Sequence, residues 1–346
     1  MTHRGFENCI REHAPDVVVS MHPLCQAVPV KVLRDMQAQG AEKIPFVTVV
    51  TDLATPHPLW IHKHADLCIV PSQEFDRAAR VRGLTSSQIR MHGLPVRPAF
   101  GAQPGRGTEQ RAALQESLGL VPNRKTVLVV GGGDGVGNLG AVVDALGAQM
   151  ASQNAQQAVA GGEGEEEGAS QLLVVCGKNA ALKQKLEETD WGPHLHVVVE
   201  GFTTRMSDFM ASSDVIVTKA GPGTIAEACC CGLPILLSGH LPGQETGNIN
   251  FVVDGGFGAY DAEPESIAST VCGWLEDEET LRAMSERSKA ASRPSATGNI
   301  ADDIVKVIDG RLEEATPPIV RGRRRPASEW RFGGPAWRQQ RTPALA

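Results

Sequence analysis

The stretch Asp214–Leu237, DVIVTKAGPGTIAEACCCGLPILL, constrains this chain more than any other. Val215–Val217 is an apolar β-branched run, Gly221-Pro222-Gly223 punctuates it, and a helix starting near Thr224 is expected to stop where Gly232 supplies the residue past its end and Pro234 forbids continuation. The unit is strand, glycine turn, short helix, strand. Glycines let another molecule approach the backbone, and the free N–H groups of the helix start carry roughly half a positive charge. The expected guest is an anion. Glu227 leaves two readings open. Thr224-Ile225-Ala226-Glu227 has the spacing of a capping box, in which the carboxylate returns to the Thr224 N–H; alternatively it accepts the cis-diol of a ribose whose diphosphate sits on the helix start.

Strands and helices alternate on both sides of this unit, which predicts parallel sheets with ligands at the carboxyl ends of the strands. Before it come strands at Asp16–Ser20, Pro45–Thr51, Leu67–Pro71, Ile89–His92, Thr126–Val130, Leu172–Val175 and His196–Glu200. A chain of 346 residues suggests two domains, with boundaries expected at 1–118 and 119–315. Residues 151–170, rich in Gln, Ala, Gly and Glu, read as a disordered insert, and Gly298–Gly310 as a helix completing the second domain. The first strand looks fully apolar, as though it needs neighbours on both sides, so the chain reads as starting in mid-domain. Met1–Phe6 has neither a signal-peptide core nor the composition of a transit peptide.

A formal net charge of −7 gives no electrostatic case for nucleic acid, and no uncharged apolar run of membrane-spanning length occurs. Eight cysteines form no C-x-x-C pair, so Cys229, Cys230 and Cys231 are expected as small buried hydrophobes in a reducing compartment. His57, His62 and His64 suggest a metal only weakly, because His62 and His64, if helical, diverge; no metal is expected. Gly131–Gly140 holds six glycines in ten residues and contains G-x-G-x-x-G. The acid that would bind a dinucleotide's ribose is missing after the next strand, so NAD is disfavoured. The tail 316–346 carries seven arginines against one glutamate, with Trp330, Phe332 and Trp337. It reads as a basic disordered segment suited to anionic membrane lipids.

Thr218–Ala228, with Gly232-Leu233-Pro234 and Gly243-Gln244-Glu245, resembles the monogalactosyldiacylglycerol synthases, glycosyltransferases of the GT-B fold. Supporting segments are Val19–Leu24, Val50–Pro58, Gly93–Pro98 and Gly131–Gly135, and the likeness runs from about residue 14 to 310. The resemblance implies two Rossmann-like parallel-sheet domains facing a cleft, the first incomplete, and transfer of galactose from UDP-galactose to the 3-hydroxyl of diacylglycerol with inversion and no obligatory cofactor. Glu227 would then hold the uridine ribose. Gly131, Gly132, Gly133, Lys219, Gly221, Pro222, Gly223 and Thr224 would surround the diphosphate, the backbone of Phe202 and Thr203 would read the uracil edge, Gln244 and Glu245 would grip the galactose, and Asn248 would also belong to the donor site. His22, Asp52, Pro56, His57 and Trp60 would lie on the acceptor side, near lipid and anionic activators. The family's first domain opens with a GGGH loop after an acidic residue, the source of its general base and a catalytic histidine. Nothing similar stands upstream of Asp16, so no catalytic residue is assigned and the chain reads as N-terminally truncated. His240 stands where the family usually has an aromatic residue. The implied location is the plastid envelope, as a peripheral protein; a related UDP-glucose or UDP-GlcNAc transferase and a non-catalytic nucleotide-sugar-binding remnant are the alternatives.

Overall fold

Two parallel sheets carry the chain. In the computed structural model, which describes residues 3–131, 138–161 and 169–310, the first sheet runs in the order β1 (Val18–Ser20), β2 (Phe46–Val49), β3 (Leu67–Val70), β4 (Ile89–Met91). Every pairing in it is parallel. β2 and β3 are buried at every position, as β-branched and apolar strands with both faces covered must be. Between strands lie α2 (Ala27–Ala38) and α3 (Gln73–Val81), preceded by α1 (His3–His13), which the sequence reading did not anticipate. Among the described residues β1 pairs with β2 alone, and Val19 is exposed on it.

After α4 (Glu109–Ser117), the second sheet has the order β10-β9-β8-β5-β6-β7, again all parallel. Its strands are β5 (Lys125–Val130), β6 (Ser170–Val175), β7 (His196–Glu200), β8 (Val215–Lys219), β9 (Ile235–Gly239) and β10 (Gly258–Tyr260). The chain winds outward one way from β5 to β7, then returns to the other side of β5 with β8. β5 and β8 are therefore neighbours whose following loops turn to opposite faces, and the crevice between them is where such sheets take ligands. Connecting helices are α5 (Leu139–Gly161), α6 (Ala180–Glu187), α7 (Met206–Ala211), α8 (Pro222–Cys231) and α9 (Thr246–Asp254), with α10 (Pro264–Glu276), α11 (Glu278–Ala291) and α12 (Ala296–Ile308) after β10. A buried ion pair, Arg111 Nη2 to Asp214 Oδ2 at 2.9 Å, fixes α4 to the start of β8, and the same carboxylate oxygen accepts the Thr126 N–H at 2.8 Å.

Three expectations change here. Residues 151–161, read as part of a disordered insert, continue α5; its side chains Met150 and Asn154 are buried, and Asn154 exchanges hydrogen bonds with Ser170. α12 does not complete the second sheet's layer. Ala296, Ile300 and Val307 pack with Val47, Val49, Leu67 and Ile69, so the chain crosses back and covers the first sheet. His62 and His64 lie in a turn rather than a helix, with ring centroids 5.6 Å apart. Residues 162–168, the glycines 132 and 133 and the tail 316–346 fall outside the described residues. Among the described residues no helix is long and apolar enough to cross a membrane.

Candidate donor site at the switch point of the second sheet

β8 delivers Lys219 to the carboxyl end of the sheet, where a register shift against β9 falls between Thr218 and Lys219. Such irregularities re-aim the side chain that carries them. The Lys219 ammonium meets Glu245 Oε1 at 2.7 Å, and the other Glu245 oxygen accepts the Leu241 N–H at 2.8 Å. Glu245 is 5% exposed, so both carboxylate oxygens have protein partners in a nearly dry position. Asn248, also buried, donates to the Ala220 carbonyl at 2.9 Å, while its Oδ1 has no hydrogen-bond partner among the described residues.

α8 starts two residues earlier than the sequence suggests. Gly221 is its N-cap and Pro222, whose missing N–H is not needed there, its first residue. No side chain caps it, which leaves the helix-start N–H groups for a guest. The capping-box reading of Thr224 and Glu227 fails on this geometry: Thr224 is the third helical residue and Glu227 lies a turn further on. At the other end the expectation holds, with Gly232 in the left-handed region at φ 68°. Glu227 faces the segment after β4, its Oε1 3.8 Å from Arg97 Nη2. Burial pushes its carboxyl above the ordinary glutamate range and the Arg97 charge partly opposes that. Cys229 and Cys230 on the same helix are buried and Cys231 partly so; burial pushes the Cys229 and Cys231 thiols up to about 12. They are inert packing groups.

Arg97 and Thr55 are the residues that sequence reasoning missed. Arg97 stands between Val96 and Pro98 in the crossing segment after β4, its guanidinium 5.0 Å from the Phe100 ring centroid. Its signal was present, an arginine held by two flanking prolines at positions 95 and 98 past the last strand of a sheet. Thr55, in the loop after β2, accepts the Gly247 N–H at 3.1 Å, and a Cβ on Gly247 would lie 2.1 Å from the Thr55 hydroxyl. Only glycine permits that approach.

The two halves enclose a cavity of about 330 Å³, lined from the first by His22, Asp52, Thr55, His57 and Trp60 and from the second by Gly243 and Gln244. Four of the expected acceptor-side residues therefore meet an expected donor-side residue. Their roles differ in detail. Trp60 is 1% exposed, packed with Val50, Cys68, Val70 and Phe75, and its indole N–H donates to Asp52 Oδ2 at 2.5 Å; it is a core residue with one edge on the cavity. His22 and His57 each accept a backbone N–H on Nδ1, from Leu24 at 3.2 Å and Leu59 at 3.3 Å, and so cap short 3-10 turns. Pro56 is half-buried beside them. Phe202 and Thr203 follow β7, two strands away from the β5–β8 crevice; Phe202 is exposed, and Thr203 Oγ1 accepts the Arg205 N–H. Gly131 follows β5 directly, its N–H on the Val175 carbonyl. The ring of His240 packs edge-on against Tyr260, centroids 5.6 Å apart, an aromatic contact at a position expected to be aromatic.

Two parallel sheets, a helix start beside a tethered cation, and an acid turned to the junction define a GT-B class of protein. A solved structure of MurG from Acinetobacter baumannii shares this fold with a TM-score of 0.57 and 16% identity, over 88% of this chain and 77% of the other. The S. aureus MnaA–UDP structure does so at 0.59 and 14%, over 91% and 82%. Residues 126–300 match the glycosyltransferase family 28 C-terminal domain, and residues 1–96 match the monogalactosyldiacylglycerol synthase model. The chain belongs to glycosyltransferase family 28, in its monogalactosyldiacylglycerol synthase branch. Monogalactosyldiacylglycerol synthase 1, chloroplastic, of Arabidopsis thaliana is 39% identical over 91% of this chain and 56% of its own length. The chain thus spans about half the length of the curated relatives it matches.

Proposed function

We propose that this chain binds UDP-galactose at the β5–β8 crevice and transfers its galactose to diacylglycerol, with inversion at the anomeric carbon. The observation that carries this reading is that the Lys219 ammonium, paired with Glu245, stands beside the uncapped start of α8, the helix on which Glu227 faces Arg97. A departing nucleoside diphosphate gains negative charge, and a fixed cation with aligned backbone N–H groups stabilises that charge without a metal. Glu227, with Arg97 as its only ion-pair partner among the described residues, has carboxylate capacity for a ribose diol. Gln244 meets the sugar from the cavity wall.

On the opposite wall, Met21, Leu24 and Leu59 expose apolar surface beside the cavity, which suits an acyl-bearing acceptor. Its chemistry supports diacylglycerol as acceptor, and the chloroplastic names of the relatives support a plastid location. No residue of the chain is assigned as general base.

Titrating the chain with UDP in a calorimeter tests the donor site. Glu227→Ala should weaken UDP by about 1–3 kcal/mol, the loss expected for hydrogen bonds to a charged acceptor; unchanged affinity would remove the ribose role. Incubation with radiolabelled UDP-galactose and diacylglycerol tests turnover, and competition by UDP-glucose and UDP-GlcNAc tests the sugar. UDP binding without label transfer would restrict the reading to a nucleotide-sugar-binding protein.

A further inference from the structure

The first sheet also opens at the amino ends of its strands, opposite the loops described above. A cavity of about 340 Å³ lies where β2, β3 and β4 begin, floored by the buried Val30, Leu33, Phe46 and Ala65. Its rim carries Arg34 from α2, Lys43 from the segment before β2, and Lys63, His64 and Asp66 from the turn before β3. Asp66 is already committed: one oxygen pairs with Lys43 and the other accepts the Phe46 N–H at 2.8 Å. Among the described residues the charged groups of Arg34 and Lys63 have no ion-pair or hydrogen-bond partner. Three cations against one carboxylate leave two net positive charges on this rim, in a chain whose formal net charge is −7. The crowding of like charge shows in the neighbouring rings. Burial holds His64 below the ordinary histidine range, and Arg34 and Lys63 push it further down; burial, then His64, Arg34 and Lys63, do the same to His62.

We propose that this cavity binds a soluble organic phosphate, its phosphate held by Arg34 and Lys63 and its apolar body lying over Leu33 and Phe46. Arginine meets a phosphate with paired N–H donors and lysine adds a compact charge, while the apolar floor gives a bare hydrated ion nothing to bond. The volume is that of a small-ligand pocket and far exceeds one phosphate group. Position argues against a lipid headgroup. The exposed Met21, Leu24 and Leu59 stand past the carboxyl ends of β1 and β2, so a bilayer met by that wall lies at the other end of the strands. UDP binding at the β5–β8 crevice plays no part in this second site.

Phenyl phosphate, which joins a phosphate monoester to a flat apolar ring, is the probe. In a calorimeter at pH 7 it should bind the full chain, and inorganic phosphate, which leaves the floor uncovered, should bind about tenfold more weakly or worse. Arg34→Gln with Lys63→Gln, both at exposed positions, should weaken phenyl phosphate by about tenfold or more, the effect of losing charge-assisted hydrogen bonds. By NMR, bound phenyl phosphate should raise the pH at which the His64 ring titrates, because an anion offsets the two cations beside it. Absence of phenyl phosphate binding at millimolar concentration overturns the proposal, as does undiminished affinity in the double variant. Inorganic phosphate binding as tightly as phenyl phosphate reduces the cavity to a bare anion site and overturns the organic ligand. Should phenyl phosphate fail while phosphatidylserine vesicles retain the parent and release the double variant, the rim is a membrane contact and the soluble ligand falls.

Discussion

The loops after β8 and β9 and those after β1 and β2 occupy the same topological position, the carboxyl ends of parallel strands, yet they are built from opposite chemistry. The first pair holds a lysine in a half-buried ion pair, a buried acid with both oxygens engaged, and a buried amide with an unpartnered oxygen. The second pair exposes Met21, Leu24 and Leu59 and occupies its histidines in capping their own turns. Topology thus decides where a ligand sits, and the loop residues decide what kind. A charged partner is met by groups whose orientation is fixed in advance; an apolar one needs surface and little direction.

Three changes break or sharpen this contrast, and the largest acts where the two regions touch. Gly247→Ala puts a methyl 2.1 Å from the Thr55 hydroxyl and 3.2 Å from the Ala54 carbonyl carbon. Overpacking against backbone should remove about 2–3 kcal/mol of stability in urea denaturation. Because the nearest atom is a side-chain oxygen, adding Thr55→Gly should restore a good part of that loss. A Gly247→Ala chain as stable as the parent would show that the two loops do not meet this closely.

The pattern of residues makes much of this legible in the sequence. Alternating apolar strands and glycine turns identify two parallel sheets, and Gly232-Leu233-Pro234 marks where α8 ends, because a left-handed residue followed by proline has few other uses. Its beginning is harder to place because Gly221-Pro222-Gly223 reads as loop, although proline at the first helical position is favourable. Two misses have a different cause. α12 carries an amphipathic pattern that says one face is buried but not against which sheet, and α5 runs on past 151 on a weakly patterned sequence whose buried Asn154 is held by Ser170 at the start of the next strand, β6. The site divides in the same way. Lys219, Gly221 and Glu227 fall within one short motif and so are legible together, whereas Arg97 reaches Glu227 only through the folding of a segment 130 residues away.

The second test separates the apolar wall from the polar one. Leu24→Ser with Leu59→Ser removes exposed apolar surface without touching the β8 loop. Retention of the chain on diacylglycerol-containing vesicles should fall by about 1–2 kcal/mol, with UDP affinity unchanged. Vesicle binding at the parent level would mean that this wall does not face lipid.

The smallest effect is the most specific, because it opposes stability to binding at a single carboxylate. Burial raises the Glu227 pKa above the ordinary value of 4.5, and the exposed Arg97 at 3.8 Å compensates only in part. A carboxyl raised in the folded state stabilises the fold below its ordinary pKa and loses that contribution as pH climbs through the raised value. At pH 7 the ionised, desolvated group is therefore a net strain, which Glu227→Gln relieves. The variant should melt roughly 1–2 °C higher than the parent at pH 7, with the difference vanishing near pH 4. UDP binding should run the other way: the parent's affinity falls as pH drops through the raised value and the ribose acceptor takes up a proton, while the glutamine variant binds weakly with no such pH dependence. Parallel melting curves at both pH values would mean that α8 holds Glu227 without strain, and the opposition between a charged wall kept ready for its ligand and an apolar wall that needs no such preparation would lose its sharpest case.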